Sequence, residues 1–293
     1  MSGDRFVVRA PATTANLGPG FDCAAAALDL WNELQVEPFE EGQPLVTVEG
    51  EGTAELPADS SHLALRAFAL VAPLEGHRFR FVNRIPLERG LGSSAATIAA
   101  GLVAGAAAAG RTLAPEEALA LGLPLEGHGD NLAAALSGGV CLIWQNGTGL
   151  RASRVATGLP LDTVIVAPST RVNTLESRGR LPERLSHRDA ASAAAQAALL
   201  GAAVASGDAR LLAASFHDLL HEPYRAADAP LLEELRERPV TAQAGVTLSG
   251  SGPSIVVWVE KGKAAEAAAE LESRYPDAQV LPLAVAEQGA AVV

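Results

Sequence analysis

The chain has 293 residues, enough for one large or two ordinary domains, and with 48% hydrophobic and 19% charged residues it can bury a real core. A formal charge of -12 argues against a nucleic acid or an anionic membrane as the main partner. Of the 22 basic residues only Lys261 and Lys263 are lysine, so no lysine in the first 260 residues can act as a base or a phosphate clamp, and any cation near an anionic ligand there is arginine or a metal.

Phe6-Val7-Val8-Arg9-Ala10 reads as a first strand, ended by Pro11. Residues 1–8 lack the apolar core of a secretory signal, so a cytoplasmic protein is expected. Residues 12–22 form a stretch of small, polar and turn-forming residues, read as a long loop. A loop of that length before any periodic segment is often functional. Leu17 and Phe21 within it suggest that it packs inward. Residues 34–37 and 45–48 look like strands, and residues 61–74 have helical spacing. Phe79-Arg80-Phe81-Val82 alternates as a strand does and leads into a loop opening at Pro86.

A helix-compatible run then extends from Ala95 to Ala109. Its Gly101 and Gly105, four apart, predict close packing of a soluble helix against a sheet. Pro115-Glu116-Glu117 begins another helix, with acidic residues in its first turn. A polar knot at 125–131 precedes an apolar segment at 132–136, and residues 140–144 read as a strand. Further strands are expected at 155 and at 164–167, and helices at 189–206, 211–220 and 231–237. The last stretch reads strand, glycine turn, strand over 246–259, then a charged helix over 261–275 and a final strand over 278–285. Cys23 and Cys141 have no metal-ligand spacing; the sequence leaves a disulfide between them open, and buried thiols are the expectation.

The informative stretch is Pro86-Leu87-Glu88-Arg89-Gly90-Leu91-Gly92-Ser93-Ser94-Ala95-Ala96-Thr97. Glycine allows φ > 0 and close backbone approach, and serine suits a helix start, where it caps free N–H groups. A glycine turn opening a helix aims unpaired N–H groups and the positive end of the dipole at one spot, which suits a phosphate. A strand-to-helix turn with no ligand would also want Gly and Ser, so the pattern alone leaves both readings open. It is neither the Walker phosphate loop nor the Gly-x-Gly-x-x-Gly dinucleotide turn, because Ser94 and Ala95 follow Gly92 and no Gly-Lys-Ser/Thr occurs.

This stretch resembles the central motif of the GHMP small-molecule kinases. Thr13-Thr14-Ala15-Asn16-Leu17-Gly18-Pro19-Gly20-Phe21-Asp22 resembles their first motif in its homoserine-kinase form, with Thr14 in place of a serine. Leu248-Ser249-Gly250-Ser251-Gly252-Pro253-Ser254 resembles the third. Glu126-Gly127-His128-Gly129-Asp130-Asn131, Thr174-Leu175-Glu176-Ser177-Arg178 and His221-Glu222-Pro223-Tyr224-Arg225 resemble segments of the homoserine kinases. Leu175 departs from the usual lysine, Gly129 from a proline, and His62 stands where an asparagine near the adenine is usual.

The resemblance implies a two-domain α+β fold, divided as 1–158 and 159–293, with nucleotide and substrate between the domains. It implies ATP-dependent phosphorylation of the L-homoserine hydroxyl in threonine biosynthesis by a homodimer. Alternatives are a mevalonate or phosphomevalonate kinase and an inactive binding relative. Pro86, Arg89, Gly90, Leu91, Gly92, Ser93, Ser94, Ala95, Gly250, Ser251 and Gly252 would face the nucleotide, and Ser94 and Glu126 would hold Mg²⁺. Arg178 and Arg225 would clamp the substrate carboxylate and Asp22 would take the ammonium, with Asn16 and His128 as hydrogen-bonding partners. Seen alone, either arginine could serve an ordinary salt bridge and Glu126 could be a solvated acid. No essential general base is expected, and Asn16, Ser94 and Glu126 carry the catalysis.

Overall fold

Two sheets organise the chain in the computed structural model, which describes residues 5–147 and 149–293. Part of the signal reading, residues 1–4, lies outside the described residues. The first sheet contains β1 (Phe6–Asn16), β2 (Gly20–Pro38), β3 (Val46–Gly50), β4 (His77–Asn83), β5 (Val140–Asn146), β6 (Gly149–Ala156) and β11 (Ala291–Val292). The second contains β7 (Asp162–Ala167), β8 (Gln243–Leu248), β9 (Ile255–Val259) and β10 (Gln279–Leu283), in the order β10-β7-β9-β8. The helices are α1 (Leu63–Ala69), α2 (Ser93–Ala108), α3 (Pro115–Glu126), α4 (Gly129–Ser137), α5 (Thr174–Gly179), α6 (His187–Ser206), α7 (Ala209–Ser215), α8 (Glu222–Arg225), α9 (Leu231–Glu237) and α10 (Ala264–Arg274). No helix among the described residues is long and apolar enough to cross a membrane.

The largest departure from the sequence reading is the stretch 12–22. Pro11 does not end the first strand. β1 runs on to Asn16 and pairs antiparallel with β2, with register shifts at Pro11/Ala12 and Ala15/Asn16. A proline is tolerated where the ladder is interrupted, because it has no N–H to give. Thr13, Thr14 and Ala15 are all buried, so the alternation that marks a half-exposed strand is absent. Only a short turn around Gly18 separates the two strands.

Gly101 and Gly105 do mark a close approach, but the neighbour is α1 rather than a sheet. A Cβ on Gly101 would sit 2.2 Å from the Ala64 carbonyl oxygen, and one on Gly105 would sit 2.8 Å from that of Phe68. The helix expected over 61–74 is confined to α1. The helix expected over 211–220 stops at Ser215, where the hydroxyl turns back onto the Leu212 carbonyl. Phe216 leaves the helical conformation and stacks on the buried Trp258 at 5.0 Å, and Asp218 then caps the next turn by accepting the N–H groups of Leu220, His221 and Glu222. The end of the chain also returns to the first sheet, where β11 pairs with β1.

Candidate active site

Gly92 is the N-cap of α2 in the left-handed conformation, and no side chain caps the helix. This corrects the expectation that a serine would. The Ser94 hydroxyl donates instead to Glu126 Oε2 at 2.6 Å, and Ser93 uses its carbonyl to accept from Thr97. The first-turn N–H groups of a 16-residue helix are therefore left for a ligand at the positive end of its dipole.

Three segments far apart in sequence close around this turn. Thr13 N–H donates to the Leu91 carbonyl at 3.0 Å. The Ser249 hydroxyl donates to the Gly90 carbonyl at 2.6 Å and lies 2.9 Å from the Thr14 hydroxyl. Gly250 N–H donates to the Ala15 carbonyl at 3.2 Å, while the Gly250 carbonyl accepts from Asn16 Nδ2 at 3.0 Å and from Arg225 Nη1 at 3.1 Å. The resulting cavity is lined by Asn16, Asp22, Pro86, Arg89, Gly90, Leu91, Gly92, Ser93, Ser94, Glu126, His128, Arg178, Arg225, Gly250 and Ser251. Of the residues expected at the site, only Ala95 and Gly252 fall outside this lining. Ala95 is fully buried, and Gly252 packs behind the turn with its N–H on the Ser249 carbonyl.

Both sheets contribute. Asn16 and Asp22, at either end of the first-motif turn, have positive φ (73° and 56°), and Asp22 N–H donates to Asn16 Oδ1 at 3.2 Å. Such backbone is costly for residues other than glycine and clusters at functional sites. Opposite, Arg178 on α5 grips the Asp22 carboxylate with both terminal nitrogens, at 2.7 and 2.9 Å. That hydrogen bonding raises the Arg178 pKa above its ordinary value. The Arg178 and Arg225 guanidiniums lie 5.3 and 5.4 Å from the centre of the Phe21 ring. The Nε of each is buried without a hydrogen-bond partner. Burial first, then the neighbouring Arg178 charge, lowers the Arg225 pKa. Burial and Arg178 likewise hold His128 below the usual imidazole range.

Several site residues escaped the sequence reading. Asp130, in the first turn of α4, also lines the cavity, and burial pushes its carboxyl up to about 6. Asn131 accepts from the Thr13 hydroxyl at 2.7 Å. Glu-Gly-His-Gly-Asp-Asn contains both, but burial is a tertiary fact. His62 is not in the cavity lining. It is buried, caps α1 through Nδ1 and stacks on Phe81 at 4.2 Å.

Ser94 and Glu126 present a hydroxyl and a carboxylate in direct contact, hard oxygens of the kind Mg²⁺ takes. Burial pushes Glu126 up to about 7, so its charge lacks a full counterpart in the protein. Among the described residues, no group of three or more His, Cys, Asp or Glu could cage a metal. Two such donors would fit Mg²⁺ if phosphates and water supplied its remaining ligands.

A pH dependence follows. The folded-state pKa of Glu126, about 7, lies above the ordinary 4.5, so its contribution to stability is complete below 4.5 and is lost as pH rises through 7. Glu126→Gln should therefore gain thermal stability over wild type by a few degrees across that interval in Mg²⁺-free buffer. Melting curves at a series of pH values measure it. A difference that does not change with pH would mean that the Glu126 carboxyl is not perturbed.

An uncapped helix N-terminus and two guanidiniums line one cavity, an arrangement suited to a phosphate beside a small molecule that carries a carboxylate. Comparisons with known proteins place it further. The family models described as GHMP kinases N terminal domain and GHMP kinases C terminal match residues 61–139 and 193–277. The homoserine kinase of Moorella thermoacetica is 39% identical over 258 residues, covering 86% of both chains. That of Nostoc punctiforme is 36% identical over 295 residues, covering 97% of both. The crystal structure of homoserine kinase from Cytophaga hutchinsonii superposes with a TM-score of 0.88 at 25% identity, covering 100% of this chain and 98% of that one. This chain belongs to the GHMP kinase family, among relatives that are homoserine kinases.

Proposed function

We propose that this enzyme transfers the γ-phosphoryl group of ATP to the hydroxyl of L-homoserine, giving O-phospho-L-homoserine and ADP in threonine biosynthesis. The observation that carries the reading is the pair of guanidiniums on Phe21, lining one cavity together with the α2 N-terminus. Guanidinium donors brought together at one cavity suit a carboxylate, which offers two oxygens in one plane.

The N–H groups at the start of α2 and the turn at Gly250 would receive the nucleotide phosphates. Ser94 and Glu126 would hold Mg²⁺, which would neutralise charge on those phosphates. Asp22 would take the substrate ammonium while still held by Arg178, with His128 and Asn16 alongside. The homoserine oxygen bonds to the γ-phosphorus as the bond to ADP breaks, and the hydroxyl proton leaves to phosphate or water. Catalysis is then mainly positioning and charge neutralisation. The reading extends to a cytoplasmic homodimer, for which light scattering of the purified protein is the test.

An ADP-release assay over homoserine, mevalonate, shikimate and galactose tests the acceptor, and a preference for any but homoserine overturns the reading. Arg225→Ala should raise the homoserine KM about 10- to 150-fold, the worth of one hydrogen bond to a charged group, and leave the ATP KM nearly unchanged. Wild type should discriminate strongly against 3-aminopropan-1-ol, which lacks the carboxylate, and Arg225→Ala should lose much of that discrimination. If wild type accepts both substrates equally, the arginines do not bind a carboxylate.

A further inference from the structure

Arg225 sits in a helix of only four residues, too short to fix a guanidinium by its own hydrogen bonds. Besides the Gly250 carbonyl, what holds it is His221, one turn earlier and fully buried. His221 Nδ1 lies 3.3 Å from Arg225 Nη1, and Nε2 lies 2.9 Å from the Gly18 carbonyl oxygen. A guanidinium can only donate and a carbonyl can only accept. The two contacts together leave one protonation state: neutral imidazole, with its proton on Nε2. The Asp218 carboxylate lies 3.6 Å from Nε2, a second acceptor that favours the proton there. Burial, the largest influence on the ring, holds its pKa below the ordinary value. The ring is itself stacked on Phe21 at 5.3 Å, and the Asp218 carboxylate fixes the backbone N–H of His221 at 2.8 Å.

We propose that His221, as the neutral Nε2–H tautomer, is a positioning residue that ties Arg225 to the first-motif turn at Gly18 and so sets the guanidinium that receives the substrate carboxylate. This rests on the reading of Arg225 as a carboxylate ligand. Nη1 is committed to His221 and the Gly250 carbonyl, so the Nη2 edge is left for a ligand in the cavity that Arg225 lines. The same imidazole connects that edge to the turn between Asn16 and Asp22. One ring thereby links the grip on the substrate carboxylate to the residues that meet its ammonium. Specificity for an amino acid over an amine or a plain alcohol would then depend on a side chain that never touches the substrate.

The variant that separates the two contacts is His221→Gln, whose amide nitrogen can keep the donor at the Nε2 position for Gly18, while no acceptor stands at the Nδ1 position that faces Arg225. It should raise the homoserine KM about 10-fold. The kcat, the ATP KM and the rate with 3-aminopropan-1-ol should stay within about twofold of wild type, the margin below one ordinary hydrogen bond. In an Arg225→Ala background the same substitution should add nothing, because the two act as a unit. Equal losses on homoserine and the amino alcohol, or a full further loss in the double variant, would overturn the proposal. A second measurement needs neither a variant of His221 nor any substrate. The imidazole ¹⁵N spectrum of wild type near neutral pH should show two buried histidines as neutral Nε2–H, His62 and His221, and of these only the Nδ1 resonance of His221 should move in Arg225→Ala. An Nδ1–H tautomer, an imidazolium, or a resonance indifferent to Arg225 rejects the bridge. Because that spectrum is read without homoserine, it decides the bridge even if the acceptor proves to be another molecule.

Discussion

Exchanging Glu126 for glutamine is expected to lower kcat by about 10²–10³, the scale of losing one preorganised transition-state stabiliser. The substitution keeps the shape of the side chain, and its amide oxygen can still accept from the Ser94 hydroxyl that now donates to Glu126 at 2.6 Å. No core cavity opens, so the protein should remain folded. What is lost is one negative charge at the end of α3, where burial has already made that charge hard to hold. A site that keeps a carboxylate at such a cost is expected to pair it with a cation in the working complex. The Mg²⁺ concentration for half-maximal activity should therefore rise together with the fall in kcat. Ser94→Ala should follow in the same direction on the same scale. Steady-state kinetics at saturating ATP and homoserine over a Mg²⁺ titration measure both effects. Wild-type turnover in the two variants would remove the pair from the chemistry.

The backbone of the phosphate turn was legible in the sequence because its demands are written in residue identity. Gly90 and Gly92 have φ of 76° and 65°, and nothing else at those positions would avoid its neighbours. The arginines were legible only through the short strings around them. Their partners were not, since Arg178 meets Asp22 across 156 residues and His221 meets Gly18 across 203. Asp22 was expected to face an ammonium, and it does line the cavity, but Arg178 already holds its carboxylate. Strand β1 was misread beyond Pro11 because a strand buried on both faces loses the alternation by which strands are recognised. Asp130 was missed for a related reason. Its residue type is ordinary beside a helix start, and only the packing of α4 against the cavity makes it a buried carboxyl. The glycine turns thus came through, whereas long-range pairing, burial and the true extent of β1 and α7 needed the folded chain.

Gly90→Ala is expected to have the other large effect, lowering kcat about 10² and raising the ATP KM at least about tenfold, through displacement rather than loss of any functional group. A Cβ at this position would stand 2.2 Å from the Ser249 carbonyl oxygen and 3.0 Å from that of Gly252. Both neighbours are backbone, so neither can turn aside as a side chain would. The left-handed φ of 76° adds the usual cost of about 1 kcal/mol for a residue with a Cβ. Relief requires the second and third motifs to separate, which would break the 2.6 Å bond from Ser249 to the Gly90 carbonyl and shift the turn at Gly250. Arg225 would be affected as well, since its Nη1 rests on the Gly250 carbonyl, so the homoserine KM should rise with the ATP KM. Gly110→Ala provides the control. Gly110 also has positive φ, 68°, but nothing lies within 4 Å of its Cβ position. It should lose only the conformational term, seen as a small drop in melting temperature with unchanged kinetics. If Gly90→Ala behaves like Gly110→Ala, the close approach of the two motifs is not what shapes the phosphate site.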